Sequence, residues 1–208
     1  MKTDILSARD PQAMSRALVV LQRDGLVAFP TDTVYGVGAL AFHAAAVRRI
    51  YSAKDRPVQK AIPVLIADLA DLAKVTLEIT QAAARLASHF WPGPLTLVVA
   101  KHPELPETVS AGPTVGVRVP DHPVARTLLR SAGPMAVTSA NLSDQPSPCT
   151  AKEVFAQLGG RIALIIDGGK TPGGVPSTVV DCIGTEPRIL RLGPVSKDEI
   201  WAVFGLGL

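Results

Sequence analysis

Residues 135–167 read MAVTSANLSDQPSPCTAKEVFAQLGGRIALIID. The short apolar runs at its two ends, MAVTSA and IALIID, have the length and β-branched content of buried strands. Between them TAKEVFAQLGG keeps a helical period, and TSANLSDQPSPCT (138–150) is a loop dense in hydroxyls and amides. Strand, loop, helix and strand in that order form the building unit of a layered α/β domain.

The alternation continues in both directions. Upstream, DPQAMSRALVVLQRDG reads as a helix starting at Asp10–Pro11 and stopping at Gly25, with Met14, Leu18 and Leu21 along one stripe. LVAFP is a short buried strand ending at Pro30. AFHAAAVRRIYSAKDRP is a helix whose cations gather at its C-terminal end, where the macrodipole favours them. AIPVLIAD reads as a strand, and TQAAARLASHFWPGP as a helix ended by Pro92. LTLVVA, TVGVRVP and STVVDCIG are further strands, and HPVARTLLRSAG a further helix. SKDEIWAVFG closes the chain with a capping box from Ser196 to Glu199. Several strands are joined too closely for a helical crossover, so a mixed sheet is expected. No internal repeat or linker interrupts the pattern, and TPGGVPS (171–177) reads as a loop within one domain.

Composition narrows the function classes. Of the 208 residues 47% are hydrophobic and 19% charged, which suits a sizeable packed core. The aromatic share of 4% argues against a stacking platform for many bases. A net charge of +3 admits anionic ligands without the basic stripe of a dedicated nucleic-acid binder. Cys149 and Cys182 fall in no metal or redox spacing, so they read as reduced thiols in a cytoplasmic protein. The start, MKTDILSARDPQ, lacks a secretory apolar region, and no run approaches the roughly 18 apolar residues of a membrane span. The histidines at 43, 89, 102 and 122 are scattered, which disfavours a histidine metal site.

Two tempting motifs fail. GGKT at 168–171 lacks the leading glycine of a phosphate loop, since Leu164 stands there, and Pro172–Gly173–Gly174 follows instead of a helix. No G-x-S-x-G is present, and Ser139 has no neighbouring histidine, so it reads as a hydrogen-bonding group and not as a nucleophile.

What remains are polar and basic strand ends. FPTDTVYGVGAL (29–40) places Thr31, Thr33 and Tyr35 directly after a strand, followed by a glycine-permitted turn. AKDRPVQK (53–60) carries Lys54, Arg56 and Lys60; Arg118 and Arg191 close short apolar strands, and Arg188 lies nearby. Singly, surface cations carry little information. Converging on one cleft they would suit a triphosphate or a similar anion, but convergence is not readable from spacing.

In order along the chain, FPTDTVYGVGA, Lys54-x-Arg56-Pro57, WPGPLTLVV, VGVRVPDHP, TSANLSDQPSP, PSTVVD and RLGP resemble the YrdC family, from about residue 12 to 205. The resemblance implies one domain over 1–208, α/β, a three-layer arrangement of a twisted mixed β-sheet flanked by helices around a basic cavity. It implies an enzyme, a nucleotidyltransferase forming threonylcarbamoyl-AMP and diphosphate from L-threonine, bicarbonate or CO2, and ATP. That product serves threonylcarbamoyl-adenosine modification of tRNA through a separate transfer complex. Mg2+ is expected through the ATP phosphates, with no metal ligands from the chain. By motif, Lys54, Arg56, Ser139 and Asn141 carry over as the catalytic set. Arg56, Lys60, Ser139, Asn141, Ser147 and Arg191 carry over to ATP, and Thr33, Arg118, Thr138 and Ser177 to threonine. Three positions depart from the family pattern: Leu192 and Ala61, where proline is usual, and Asp144, where glycine is common. The chain looks like the short, single-domain type. Two other readings stay open: an RNA-binding module with weak tRNA affinity, and a YrdC-like paralogue acting on another acyl or carbamoyl substrate.

Overall fold

Residues 1–184 and 186–205 are described by the computed structural model. In chain order the first half comprises β1 (Asp4–Ser7), α1 (Ala13–Gln22), β2 (Val27–Pro30), β3 (Tyr35–Leu40), α2 (Ala44–Lys54), β4 (Val64–Leu65), a 3-10 turn (Leu69–Lys74) and α3 (Gln81–Phe90). The second half comprises β5 (Leu95–Ala100), β6 (Thr114–Arg118), α4 (Pro123–Ala132), β7 (Met135–Ser139), α5 (Ala151–Leu158), β8 (Leu164–Asp167), β9 (Thr178–Asp181), β10 (Arg188–Arg191) and α6 (Lys197–Ala202). The ten strands make one sheet in the order β1-β8-β2-β3-β7-β4-β6-β5-β9-β10. Parallel pairs such as β1 with β8 and β5 with β9 occur beside antiparallel pairs such as β2 with β3 and β5 with β6, the mixed sheet expected from the short connections.

Local chemistry fixes several helix ends. Thr80, Thr150 and Ser196 each accept from the backbone N–H three residues on, and Glu153 and Glu199 reach back to complete capping boxes. Asp55 ends α2 in the left-handed region, at φ 51°, which an aspartate tolerates better than most residues. The stripe expected on the first helix is displaced: Ala13, Ala17 and Leu21 are its buried residues, while Met14 and Leu18 pack at its margin.

Two strand readings change, and β1 is a strand that the sequence does not announce. The segment 61–68 pairs only at Val64–Leu65, because Pro63 has no N–H to donate and Asp68 already caps the following turn. β1 is too short to show a period. YGVGAL, expected as a turn, is the central strand β3. Its glycines allow β7 to approach: a Cβ on Gly36 or on Gly38 would lie 2.7 Å from a methyl of Val137.

Register decides which side chains share a face. Pairings put Phe29, Gly36, Ser139, Val137, Met135, Leu65, Arg118, Gly116, Thr96, Val179 and Arg191 on one side. The opposite side, with Val37, Ala136, Val64, Val117, Leu97 and Val180, is sealed by α2, α3 and α5 in the larger core cluster. On the first side α1 and α4 cover Val27, Phe29, Leu65, Met135 and Val137, making the smaller cluster. Beyond them, among the described residues, β6, β5, β9 and β10 carry no helix of that cluster over this face, and the cavity opens there.

Candidate functional site

The cavity encloses about 380 Å3. Its floor is apolar or bare, from Gly36, Val137, Leu65, Pro63 and Gly116, and its walls carry Thr31, Thr33, Thr96, Thr138, Ser139 and Ser177. Arg56, Arg118 and Arg191 point three guanidinium groups at this one space. A larger hollow of about 930 Å3 lies between the start of α3 and α6, lined by groups such as Ile183, Pro187 and Trp201. None of the residues expected at the site lines it, so chemistry and not volume selects the smaller cavity.

Arg118 is anchored on three sides. Its Nε donates to the Gly93 carbonyl at 3.0 Å, Nη1 to Thr33 Oγ1 at 3.2 Å, and Nη2 to Asp32 Oδ1 at 2.5 Å. Thr31 Oγ1 lies 3.1 Å from Thr33 Oγ1, so the loop after β2 holds both hydroxyls in a fixed chain beside the guanidinium. Arg191 donates twice to the Ser177 carbonyl, at 3.2 and 2.8 Å, and Ser177 Oγ meets Thr96 Oγ1 at 2.8 Å. Arg56 is tied to the carbonyls of Lys60 and Ala61 at 3.3 and 2.9 Å. Among the described residues neither Arg56 nor Arg191 makes an ion pair with a carboxylate. Burial holds both guanidiniums below their ordinary pKa, and the Arg118 charge adds to that effect on Arg191. Among the described residues no carboxylate belongs to the lining; the one that offsets its positive charge, Asp32, pairs with Arg118 from outside it.

Thus Thr33, Arg56, Arg118, Thr138, Ser139, Ser177 and Arg191 meet in one lining, though they lie up to 158 positions apart in the chain, from residue 33 to residue 191. Lys54, Lys60, Asn141 and Ser147 stand outside it. Lys54 is the last residue of α2 and is 1% exposed; its ammonium turns inward and donates to the carbonyls of Ser139 and Asn141. Burial first, and the Arg56 charge second, push its pKa down to about 7. Asn141 folds back on its own loop, donating to the carbonyls of Leu142 and Gln145 at 2.6 and 2.8 Å, while its Oδ1 is buried without a partner. Lys60 turns to Asp144, 3.6 Å away at the surface. Tyr35, expected among the site hydroxyls, is fully buried and donates to the Gly169 carbonyl at 2.7 Å. At the departures noted above, Asp144 occupies the left-handed region at φ 63°, the conformation a glycine supplies at no cost, and Leu192 is exposed.

Two participants escaped sequence reading. Asp32 is the lone acid among the hydroxyls of PTDT, and Thr96 is a lone hydroxyl within the apolar run LTLVVA. Each breaks its local pattern, which is the signal that could have found it.

Gly193 holds the Ser177 and Arg191 wall together. Its N–H donates to Thr178 Oγ1 at 2.8 Å, and a Cβ there would lie 2.3 Å from the Pro176 carbonyl and 2.5 Å from the Thr178 nitrogen. Backbone atoms cannot escape by changing rotamer, so Gly193→Ala should lower stability by about 1–3 kcal/mol. Urea unfolding would show this as an earlier midpoint. Gly112→Ala, where an added Cβ meets nothing, is the control and should not move it.

Comparison with known proteins gives three results. The Sua5/YciO/YrdC family model, described as telomere recombination, matches residues 19–193. Threonylcarbamoyl-AMP synthase of Bacillus subtilis (strain 168) is 47% identical over 206 residues, which are 98% of this chain and 59% of that protein. A relative in Mycobacterium tuberculosis (strain ATCC 25618 / H37Rv), provisionally named for the same activity, is 41% identical over 209 residues, 98% of this chain and 96% of that one. Among solved structures, P. abyssi Sua5 complexed with L-threonine superposes with a TM-score of 0.92 at 40% identity, covering 99% of this chain and 61% of that one. The chain thus spans about three fifths of the longer proteins it matches and nearly all of the shorter one.

Proposed function

The chain belongs to the Sua5/YciO/YrdC family, and from that premise we propose that it is a threonylcarbamoyl-AMP synthase, joining L-threonine, CO2 or bicarbonate, and ATP. One observation supports this above the other readings: Arg56, Arg118 and Arg191 converge on a single cavity beside the hydroxyls of Thr33 and Ser139. An RNA-binding surface would spread its cations along an exposed face; here they are gathered in a hollow sized for small molecules.

The chemistry explains the residue types. The threonine amine adds to CO2 and loses a proton, giving a carbamate. A carbamate oxygen then attacks the α-phosphorus of ATP and expels diphosphate. Two anions must approach, so the barrier is chiefly electrostatic. At about 4 Å and intermediate dielectric each guanidinium contributes roughly 4 kcal/mol of gross attraction to a phosphate charge. Arg118, held beside Thr33, takes the threonine carboxylate. Arg56 and Arg191 take the polyphosphate, Ser139 supplies hydrogen bonds along its path, and Ser177 serves the threonine. Thr138 borders the amino-acid end.

Mg2+ enters on the ATP phosphates as part of the substrate. The remaining partners are a tRNA threonylcarbamoyl-transfer complex that consumes the adenylate, and the location is the cytoplasm. No helix among the described residues is long and apolar enough to cross a membrane.

Incubation with ATP, Mg2+, threonine and bicarbonate is expected to release diphosphate, and mass spectrometry to find the threonylcarbamoyl adenylate. Omitting threonine should stop the release. Diphosphate formed equally without threonine would refute the assignment.

A further inference from the structure

Asp32 carries a cost that stability does not explain. Its side chain is 12% exposed and that of its partner Arg118 is 7% exposed. Oδ1 receives Arg118, but Oδ2 is buried without a partner, and so is Nδ1 of His122, a ring close enough to feel the Asp32 charge. Desolvation cancels most of the attraction within a buried ion pair, and an unpaired carboxylate oxygen adds a further penalty. Thr31 and Thr33 already fix the loop through their own hydrogen bonds. A charged residue between them is not needed to hold its shape.

The consequence of Asp32 lies in the cavity. Arg118 stands near enough to Arg191 for the two charges to oppose each other. Two adjacent guanidiniums without a counter-charge make a clamp for a phosphate dianion. With Asp32 in place, the Arg118 end is neutral as a pair, and three of its five N–H donors are already committed. What it still offers is hydrogen bonding in a fixed orientation, enough for a single carboxylate and poor for a polyphosphate.

We propose that Asp32 positions Arg118 and sets the ligand class of that end of the cavity. By clamping and neutralising the guanidinium it reserves the end for the amino-acid carboxylate, and it keeps diphosphate and the ATP polyphosphate on Arg56 and Arg191. This rests on reading the cavity as a joint amino-acid and nucleotide site.

The test is calorimetric titration with diphosphate and with threonine, without turnover, on the wild type, Asp32→Asn, Asp32→Glu and the double variant Asp32→Asn with Arg118→Gln. Asp32→Asn should bind diphosphate roughly tenfold more tightly, and that diphosphate should now compete with threonine. The double variant should lose the gain, because the freed charge is gone. Asp32→Glu keeps the charge but displaces it, so diphosphate affinity should hold while threonine binding weakens about fivefold. A purely structural role for Asp32 would not move the competition pattern. Unchanged diphosphate affinity in Asp32→Asn, or a gain that survives in the double variant, overturns the proposal. Should Asp32→Asn fail to fold in a thermal melt, Asp32→Glu decides: tighter diphosphate or unaltered threonine binding would sink it. A wild type that binds both ligands but releases no threonine-dependent diphosphate would remove the synthase reading and leave the anion-sorting role standing.

Discussion

Lys54→Met is expected to remove most turnover, by about a hundredfold, while leaving ATP within reach of Arg56 and Arg191. The side chains are of similar length, so the core around α2 stays filled. What disappears is the ammonium that donates to the carbonyls of Ser139 and Asn141. Each buried acceptor left without a partner costs about 1–3 kcal/mol. The main-chain bond from Ser143 N–H to the Lys54 carbonyl, 2.8 Å, survives the change. The loop therefore remains attached at one point but loses the anchor directly behind Ser139. The expected kinetic signature is a fall in kcat with a small change in the ATP requirement.

The same substitution carries a pH signature with a definite sign. Folding holds the Lys54 pKa near 7, whereas in an unfolded chain it returns to about 10.4. Between those values the unfolded state binds more protons, so this residue makes stability rise with pH, by at most about 1.4 kcal/mol per unit. Below the lower value and above the higher one it contributes no slope. The two carbonyl acceptors favour the ammonium and oppose the downward shift, which makes that slope an upper bound. Urea unfolding at a series of alkaline pH values should show the rise in the wild type and its loss in Lys54→Met. Parallel profiles would mean that Lys54 titrates normally and that its burial is not what governs it.

The second large effect is expected at Arg118. Arg118→Ala leaves Asp32 buried with no cation, and removing one member of such a pair destabilises by about 3–5 kcal/mol. It also deletes the donors assigned to the threonine carboxylate, so the threonine requirement should rise about a hundredfold while the ATP requirement shifts little. Equal changes in both would show that the cavity is not divided between the two substrates as described. Asp32→Asn introduced into Arg118→Ala should recover much of the stability without recovering threonine binding. Those two losses therefore have separable causes.

The order of strands and helices was legible because each element carries its own period and stop signals. Helix α5, for example, is announced by Thr150 and Glu153. The strand β3 was not legible, because Gly36 and Gly38 have no side chains to show a period. Their meaning lies in Val137, about a hundred residues further along, whose methyl groups they admit. Among the cations, AKDRPVQK placed Lys54, Arg56 and Lys60 together, yet they face carbonyl oxygens, the cavity and a surface aspartate respectively. The bend at Asp55, where α2 ends, separates directions that the linear sequence presents as one cluster.

By itself the sequence determined the α/β alternation, the mixed character of the sheet, and the placing of hydroxyls and arginines at strand ends, since all of these follow from local periods and short connections. Only the tertiary structure decided that α1 and α4 cover part of one face and leave the rest open, and that Asp32 neutralises Arg118 across 86 positions. Two-residue alternation sorts side chains into two faces but does not say which face a helix will cover. That choice is made by packing between segments far apart in the chain, and the charge inside the cavity is set there too.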